Sequence, residues 1–91
     1  MKAYEWIDRL KVTKNLPSDY AAAKMLELSQ SSVITMRSRG STMGEKTAKR
    51  LAELLGFNPA GIVLDQMAER VEDPALRATL LSEAQRLCIL C

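Results

Sequence analysis

The sequence predicts an all-α domain of six short helices, and three observations lead to this fold class. Apolar residues recur at helical spacing along the chain, whereas no long segment alternates apolar with polar residues as a half-buried strand does. Capping residues, prolines and glycines divide the 91 residues into segments of helix length. Hydrophobic residues make up 47% and charged residues 26%, a balance typical of a single folded domain.

The first three helices are separated by proline and by serine caps. Helix one ends before Pro17, because a proline disfavours helix at the residue that precedes it. Ser18 and Ser29 are the expected N-caps of two further helices, which are short and separated by a tight turn. The three predicted helices cover about residues 3–14, 19–26 and 30–37.

The last three helices have clear start and stop signals. Thr42 and Glu45 have the spacing of a capping box, and Gly56 stands where a left-handed helix terminator is expected. Asn58 and Asp73 each precede a proline, which suits the first position of a helix. Helix four therefore follows the capping box and ends at Gly56, helix five covers about 59–71, and helix six covers about 74–90. The apolar stripe of helix four is Ala48, Leu51, Ala52 and Leu55.

Helix six carries a broad apolar stripe with two open interpretations. The stripe either completes the core of this small domain or forms a dimer surface, since residues 1–58 already supply a small bundle. Cys88 and Cys91 are expected to be reduced thiols beside this apolar face, because one CxxC pair supplies only two of the four ligands of a zinc site. The stripe consists of Leu76, Leu80, Leu81, Ala84, Leu87, Cys88 and Cys91.

Charge and composition exclude most catalytic functions. Residues 1–55 hold ten basic and six acidic side chains, whereas residues 56–91 hold three and five, so the first half suits a polyanionic partner. Histidine is absent, and the sequence has neither a glycine-rich phosphate loop nor a cluster of metal ligands. We expect no enzyme activity, no cofactor, no metal and no small-molecule substrate.

The chain shows no sign of a membrane segment. No apolar run approaches the about 20 residues that a membrane-spanning helix needs. Acidic residues in the opening MKAYEWIDRL stand where a signal peptide would be apolar. We expect a soluble cytoplasmic protein without a membrane partner.

Residues 18–37, SDYAAAKMLELSQSSVITMR, have the arrangement of a helix-turn-helix. Together with the following helix, this segment resembles the phage Cro and lambda-repressor-like (XRE-type) family of DNA-binding proteins. Ala23 matches the small residue at which the two helices cross, Leu26 and Leu28 match the apolar pair beside the turn, and Val33 matches the buried anchor of the recognition helix. The resemblance covers about residues 3–71.

The resemblance implies a DNA-binding domain at residues 1–71, followed by a possible dimerisation element at 72–91. Two residues depart from the family pattern: Glu27 occupies a turn position that is often glycine, and Met36 replaces a tryptophan or isoleucine. If the turn residue has positive φ, a side chain there costs about 1 kcal/mol.

The third helix offers a set of base-reading candidates on the side opposite Val33 and Met36. A glutamine can pair with adenine, a serine with several base edges, and the methyl groups of isoleucine and threonine can contact the methyl group of thymine. This inventory favours sites that contain A·T pairs. In the alternative interpretation, Ile34 belongs to the core and the exposed face is turned by one position. The candidates are Gln30, Ser31, Ile34 and Thr35.

Phosphate contacts are expected from the end of the third helix and from the loop that follows. The free backbone amides at the start of helix four favour an anion there. Ordinary solvated basic surface is the alternative, and the carboxylate of Asp19 near the same edge weakens the phosphate interpretation. The candidates are Arg37, Ser38, Arg39, Ser41, Thr42 and Lys46.

The residues together predict a sequence-specific regulator of transcription that binds double-stranded DNA. The resemblance to Cro-like regulators, which the small size of the chain shares, implies a phage-type repressor that occupies its operator. A short reading helix implies a homodimer on a pseudo-palindromic site. The alternative is a helical protein-interaction module or an antitoxin-like partner in which DNA binding is secondary.

Overall fold

Residues 1–89, the part of the chain that the structure describes, form six α-helices in this computed structural model. That part contains no strand, so the predicted all-α class is confirmed. None of the six helices is both long and apolar enough to cross a membrane. The helices are α1 (Ala3–Thr13), α2 (Asp19–Met25), α3 (Gln30–Arg39), α4 (Glu45–Leu55), α5 (Pro59–Arg70) and α6 (Pro74–Ile89).

Capping hydrogen bonds confirm most of the predicted helix starts. The side-chain oxygens of Ser18, Ser29 and Asn58 accept backbone N–H groups of the first turn at 3.2, 3.2 and 3.0 Å. Asp73 Oδ1 does the same for α6 at 3.0 Å. Gly56, with φ of 77°, ends α4 as expected. These boundaries follow from local chemistry, since each cap satisfies an N–H group that has no partner inside the helix.

The predicted capping box of α4 is wrong. The helix begins at Glu45, its N-cap is Gly44, and no side chain caps it. Met43 is buried, and its N–H donates to Gln66 Oε1 at 3.0 Å. This contact holds residue 43 against α5, and the helix starts only after it. Thr42 therefore lies two residues before the N-cap and does not cap the helix.

The third helix is longer than predicted. It continues past residue 37 to Arg39 and ends at Gly40, whose φ is 65°. The Ser38 hydroxyl donates to the Ile34 carbonyl at 2.9 Å, so this serine remains in the helix instead of breaking it. Glycine supplies the left-handed conformation that stops the helix.

The core is mainly aliphatic and lies where helices α1 to α5 meet. Trp6 rather than Tyr4 is the buried aromatic residue of α1, and its ring packs edge-on against Phe57 with centroids 6.1 Å apart. The three short helices α2, α3 and α4 all pack against α1. The largest fully buried side chains are Ile7, Leu10, Val33, Met43, Leu51, Ile62 and Gln66.

Two buried polar residues of α5 connect it to the N-terminal segment and to the α3–α4 loop. Asp65 Oδ2 accepts from Trp6 Nε1 at 2.8 Å, and Asp65 Oδ1 accepts from the Met1 amino group at 2.9 Å. Gln66 Oε1 accepts from the Met43 N–H, while Gln66 Nε2 donates to the Met1 carbonyl at 3.0 Å and to Asp65 at 3.1 Å. Because these atoms are all paired, their burial does not carry the penalty of an unsatisfied polar group.

The last helix packs on α5 through part of its apolar stripe. A methyl group on Gly61 would lie 2.7 Å from Cys88 Sγ and 3.2 Å from the Ala84 carbonyl oxygen, so glycine permits this close approach. Ala84 is buried, but Leu76 is 49% exposed. The stripe therefore serves the core in one part and remains at the surface in another. Leu81 is half-buried, as are Leu80, Leu87 and Cys88. The predicted helix end at Leu90 and the thiol of Cys91 lie outside the described residues.

Replacement of Gln66 by alanine tests the polar contact that holds the α3–α4 loop. We expect Gln66→Ala to lower the free energy of unfolding by about 3 kcal/mol, because it leaves the buried Met43 N–H without an acceptor and opens a cavity. Urea unfolding measures the change, with Gln85→Ala on exposed α6 surface as the matched control. Equal losses in the two variants would contradict this role of Gln66.

Candidate nucleic-acid interface

A tight turn joins α2 to α3 and sets the position of α3. Glu27 has φ of 59°, the conformation for which glycine is usually selected, so its side chain carries a strain of about 1 kcal/mol. The Leu28 N–H donates to the Ala23 carbonyl at 2.8 Å, which closes the turn. Ala23 and Leu26 are buried beneath it. The predicted crossing residue and turn residue therefore lie where the two helices meet.

The side chains of α3 divide into an inner and an outer face. Val33 and Met36 are 1% and 6% exposed and face the core. Ile34 is 58% exposed, so the alternative interpretation, in which it belongs to the core, is wrong. All four predicted base-reading residues lie on the exposed outer face: Gln30, Ser31, Ile34 and Thr35.

The hydroxyl groups of the outer face are bonded within the helix. Thr35 Oγ1 donates to the Ser31 carbonyl at 2.9 Å, in the same way as Ser38 does to Ile34. Ser29 Oγ lies 3.2 Å from Ser31 Oγ and 2.9 Å from Ser32 Oγ. The Gln30 side-chain amide, in contrast, makes no hydrogen bond within residues 1–89.

Arg37, one of the predicted phosphate ligands, faces carboxylates of α1 and α2. Its Nη2 donates to Asp19 Oδ1 at 2.7 Å and to Asp8 Oδ1 at 2.6 Å, and its Nε pairs with Asp19 Oδ2. Lys11 Nζ joins the same carboxylate at 3.0 Å. The cluster ties the C-terminal half of α3 to both preceding helices. A phosphate contact of Arg37 stays a prediction, and it would use the donors left over on this guanidinium.

The cluster also changes the acidity of its members. The hydrogen bond from Arg37 and, to a smaller extent, that from Lys11 lower the pKa of Asp19 to about 2, although desolvation by burial acts in the opposite direction. The pKa of the Arg37 guanidinium is raised, mainly by its hydrogen bonds with Asp19 and Asp8. Both partners are therefore charged at neutral pH.

An open cleft of about 350 Å³ separates α3 from the start of α4. Because Gly44 has no side chain to cap α4, backbone N–H groups of the first turn remain available beside this cleft. Arg39 and Lys46, each within two residues of the lining in the sequence, are exposed, and neither has an ion pair among the residues that the structure describes. The cleft is lined by Leu28, Ser31, Ser32, Thr35, Met36, Ser41, Thr42, Gly44 and Thr47.

The predicted phosphate ligands thus fall into two groups. Ser41 and Thr42 line the cleft, and the exposed Arg39 and Lys46 lie within two residues of its lining in the sequence. Ser38 and Arg37 are instead engaged with the helix and with the carboxylates.

The sequence analysis did not identify two residues that position this region. Gln66 holds the loop through the Met43 N–H. Its position four residues after Ile62 places it on the buried face of α5, and a polar residue on a buried helix face indicates a buried hydrogen bond. Asp8 pairs with Arg37, 29 residues away, and no local pattern indicates that contact.

Comparison with known protein families, with curated proteins and with solved structures gives no match for this chain.

Acid should weaken the fold through Asp19. Its pKa is about 2 in the folded state against 3.8 for the free residue, so its stabilising effect is complete above about pH 5, falls below that pH and is lost as the pH falls through about 2. After allowance for solvent screening, we expect Asp19→Asn to cost about 1 kcal/mol at pH 6 and almost nothing near pH 2. Urea unfolding of both proteins across this range measures the difference. A difference that does not vary with pH would contradict the assignment.

Proposed function

We propose that this protein is a sequence-specific regulator of transcription that binds double-stranded DNA with α3 in the major groove, and that it acts as a phage-type repressor by occupying its operator. The observation that carries the proposal is the two-sided character of α3. Val33 and Met36 anchor one side, while Gln30, Ile34 and Thr35 face solvent on the other. A helix presented in this way has the width of the major groove and offers side chains to base edges.

Base recognition is assigned to the exposed residues of α3. The side-chain amide of Gln30 has both a donor and an acceptor available, which matches N7 and N6 of adenine. Ile34 lies one turn further along the same side and offers hydrocarbon. A glutamine and an isoleucine at this spacing favour a site that contains A·T pairs.

Phosphate contacts are assigned to the cleft between α3 and α4. Its free backbone amides and the positive end of the α4 dipole favour an anion, and Arg39 and Lys46, within two residues of its lining in the sequence, are exposed cations. The hydroxyl groups of Ser41 and Thr42 add hydrogen-bonding groups. Contacts of this kind fix the register of a helix on the duplex, while the bases supply specificity.

The proposed operator complex contains two copies of the chain. One short reading helix contacts few base pairs, so selectivity requires two half-sites about one helical turn apart. Leu76 is about half-exposed and Leu80 and Leu87 are half-buried, and the three lie on α6 at the 4–7 spacing of a helix-packing seam. We assign this leucine face to a second copy of the chain.

The leucine face also supports a second candidate function, a helical protein-interaction module or antitoxin-like partner. In that case Leu76, Leu80 and Leu87 would bind another protein, and duplex binding would be weak or absent. The two candidates differ in whether α3 or α6 carries the primary contact.

Selection of bound fragments from a random pool of duplexes tests the DNA-binding proposal. We expect an enriched, pseudo-palindromic site. Gln30→Ala should reduce the preference for that site over a scrambled duplex about tenfold, the loss of one base contact. Lys46→Ala should instead weaken binding to both duplexes and lower the salt slope by about one unit. Arg86→Ala, which removes a cation from α6 instead, is the matched control for Lys46→Ala. A selected pool without sequence enrichment would contradict the proposal.

Replacement of Leu76 by glutamate tests the assignment of the leucine face. Since Leu76 is largely exposed, the variant should fold, but a buried carboxylate would disfavour the dimer. We expect dimers of the wild type and monomers of Leu76→Glu in analytical ultracentrifugation. The control Ser82→Glu changes an exposed residue on the opposite side of α6 and should stay dimeric. A wild type that is monomeric at high concentration, or a dimeric Leu76→Glu, would show that this face does not join two copies.

A further inference from the structure

The centre of the outer face of α3 presents mainly hydrocarbon to its surroundings. Ile34 is 58% exposed, whereas Val33 and Met36 on the inner face are buried. The hydroxyl hydrogens of Thr35 and Ser38, which flank it, are both used in bonds to backbone carbonyls one turn earlier, each 2.9 Å long. What these residues still offer is hydrocarbon and an oxygen acceptor.

The start of the same helix adds little hydrogen-bonding capacity. The hydroxyl groups of Ser31 and Ser32 both lie within hydrogen-bonding distance of Ser29 Oγ, at 3.2 and 2.9 Å. The Gln30 amide makes no hydrogen bond among the described residues, so both its donor and its acceptor remain available. The face therefore combines one amide at its N-terminal end with an aliphatic patch, formed by Ile34 and Thr35, about 6 Å further along the axis.

The major groove has one hydrocarbon group that such a patch matches, the 5-methyl group of a pyrimidine. Thymine carries it, and cytosine carries it when methylated at C5, whereas the other base edges present hydrogen-bond donors and acceptors. An aliphatic side chain against one of those polar edges would leave it without a partner, which is costly. The patch therefore favours pyrimidines that carry a 5-methyl group in two ways: it contacts the methyl group, and it disfavours base edges whose polar groups it would leave without a partner.

We propose that Ile34, together with Thr35, is the specificity-determining reader of a pyrimidine 5-methyl group in the bound duplex. The protein then recognises thymine at this position through its methyl group, accepts 5-methylcytosine there, and discriminates against uracil and unmethylated cytosine. The inference rests on the proposed function, because it assumes that the outer face of α3 enters the major groove.

The test compares duplexes that differ in that methyl group alone. The probe is the duplex enriched from the random pool, synthesised with thymine or with deoxyuridine at the half-site positions, and its dissociation constants are measured by fluorescence anisotropy. Burial of one methyl group corresponds to about a fourfold change, so deoxyuridine should weaken binding about fourfold for each methyl group that is read. In a second pair, 5-methylcytosine at the same position should bind more tightly than cytosine by a similar factor.

Variants of the patch assign the effect to a residue. Ile34→Ala should bind the thymine and deoxyuridine duplexes with equal affinity, since the side chain that contacts the methyl group is gone. Ile34→Val keeps a branched side chain and should retain part of the discrimination. Val12→Ala removes an even more exposed β-branched side chain from α1 and should leave the discrimination unchanged. Circular dichroism verifies that each variant is folded.

Two different failures can be told apart. If the wild type prefers the enriched duplex but binds its thymine and deoxyuridine forms equally, methyl recognition is wrong and the DNA-binding proposal stands. The same holds if Ile34→Ala retains the full discrimination. If no duplex is preferred over any other, both the DNA-binding proposal and the inference are wrong, and a protein contact of the exposed Ile34 becomes the better explanation.

Discussion

The burial of Val33 and Met36 is the constraint on which the rest of the molecule depends. An isolated helix of ten residues is unstable in water, so α3 exists because these two side chains pack against the core. Once they are buried, helical geometry leaves the residues on the opposite side in solvent. The exposure of Gln30 and Ile34 is thus a direct consequence of the same packing that stabilises the helix.

Polar contacts then determine where α3 and its following loop lie. Arg37 links α3 to carboxylates on α1 and α2, and Gln66 links the Met43 segment to α5. The buried contact of Gln66 contributes more to stability, because an unpaired buried amide costs about 1–3 kcal/mol whereas a partly exposed ion pair contributes less. The ion pairs of Arg37 also compete with phosphate for its guanidinium. Of the three cations predicted to bind phosphate, Arg39 and Lys46 have no carboxylate partner among the described residues.

Sequence patterns predicted the structural features that depend on neighbouring residues. They failed where contacts between residues distant in the sequence determine the local structure. The N-caps at Ser18 and Ser29 and the exposed side of α3 follow from local spacing, and all are present in the structure. The capping box at Thr42 has an equally good local pattern, but the burial of Met43 against a residue 23 positions later overrides it. No pattern in a single sequence reports such long-range pairs. For the same reason, the sequence did not show which part of the apolar stripe of α6 is buried and which part is exposed.

The most direct test of the central claim is an NMR titration of the isotopically labelled protein with the enriched duplex. If the outer face of α3 enters the groove, the largest changes in backbone amide chemical shift will lie in residues 30–39 and in the first turn of α4. The tip of helix α1 and the middle of α5 will change little. Large changes confined to α6, with the signals of α3 unmoved, would contradict the account.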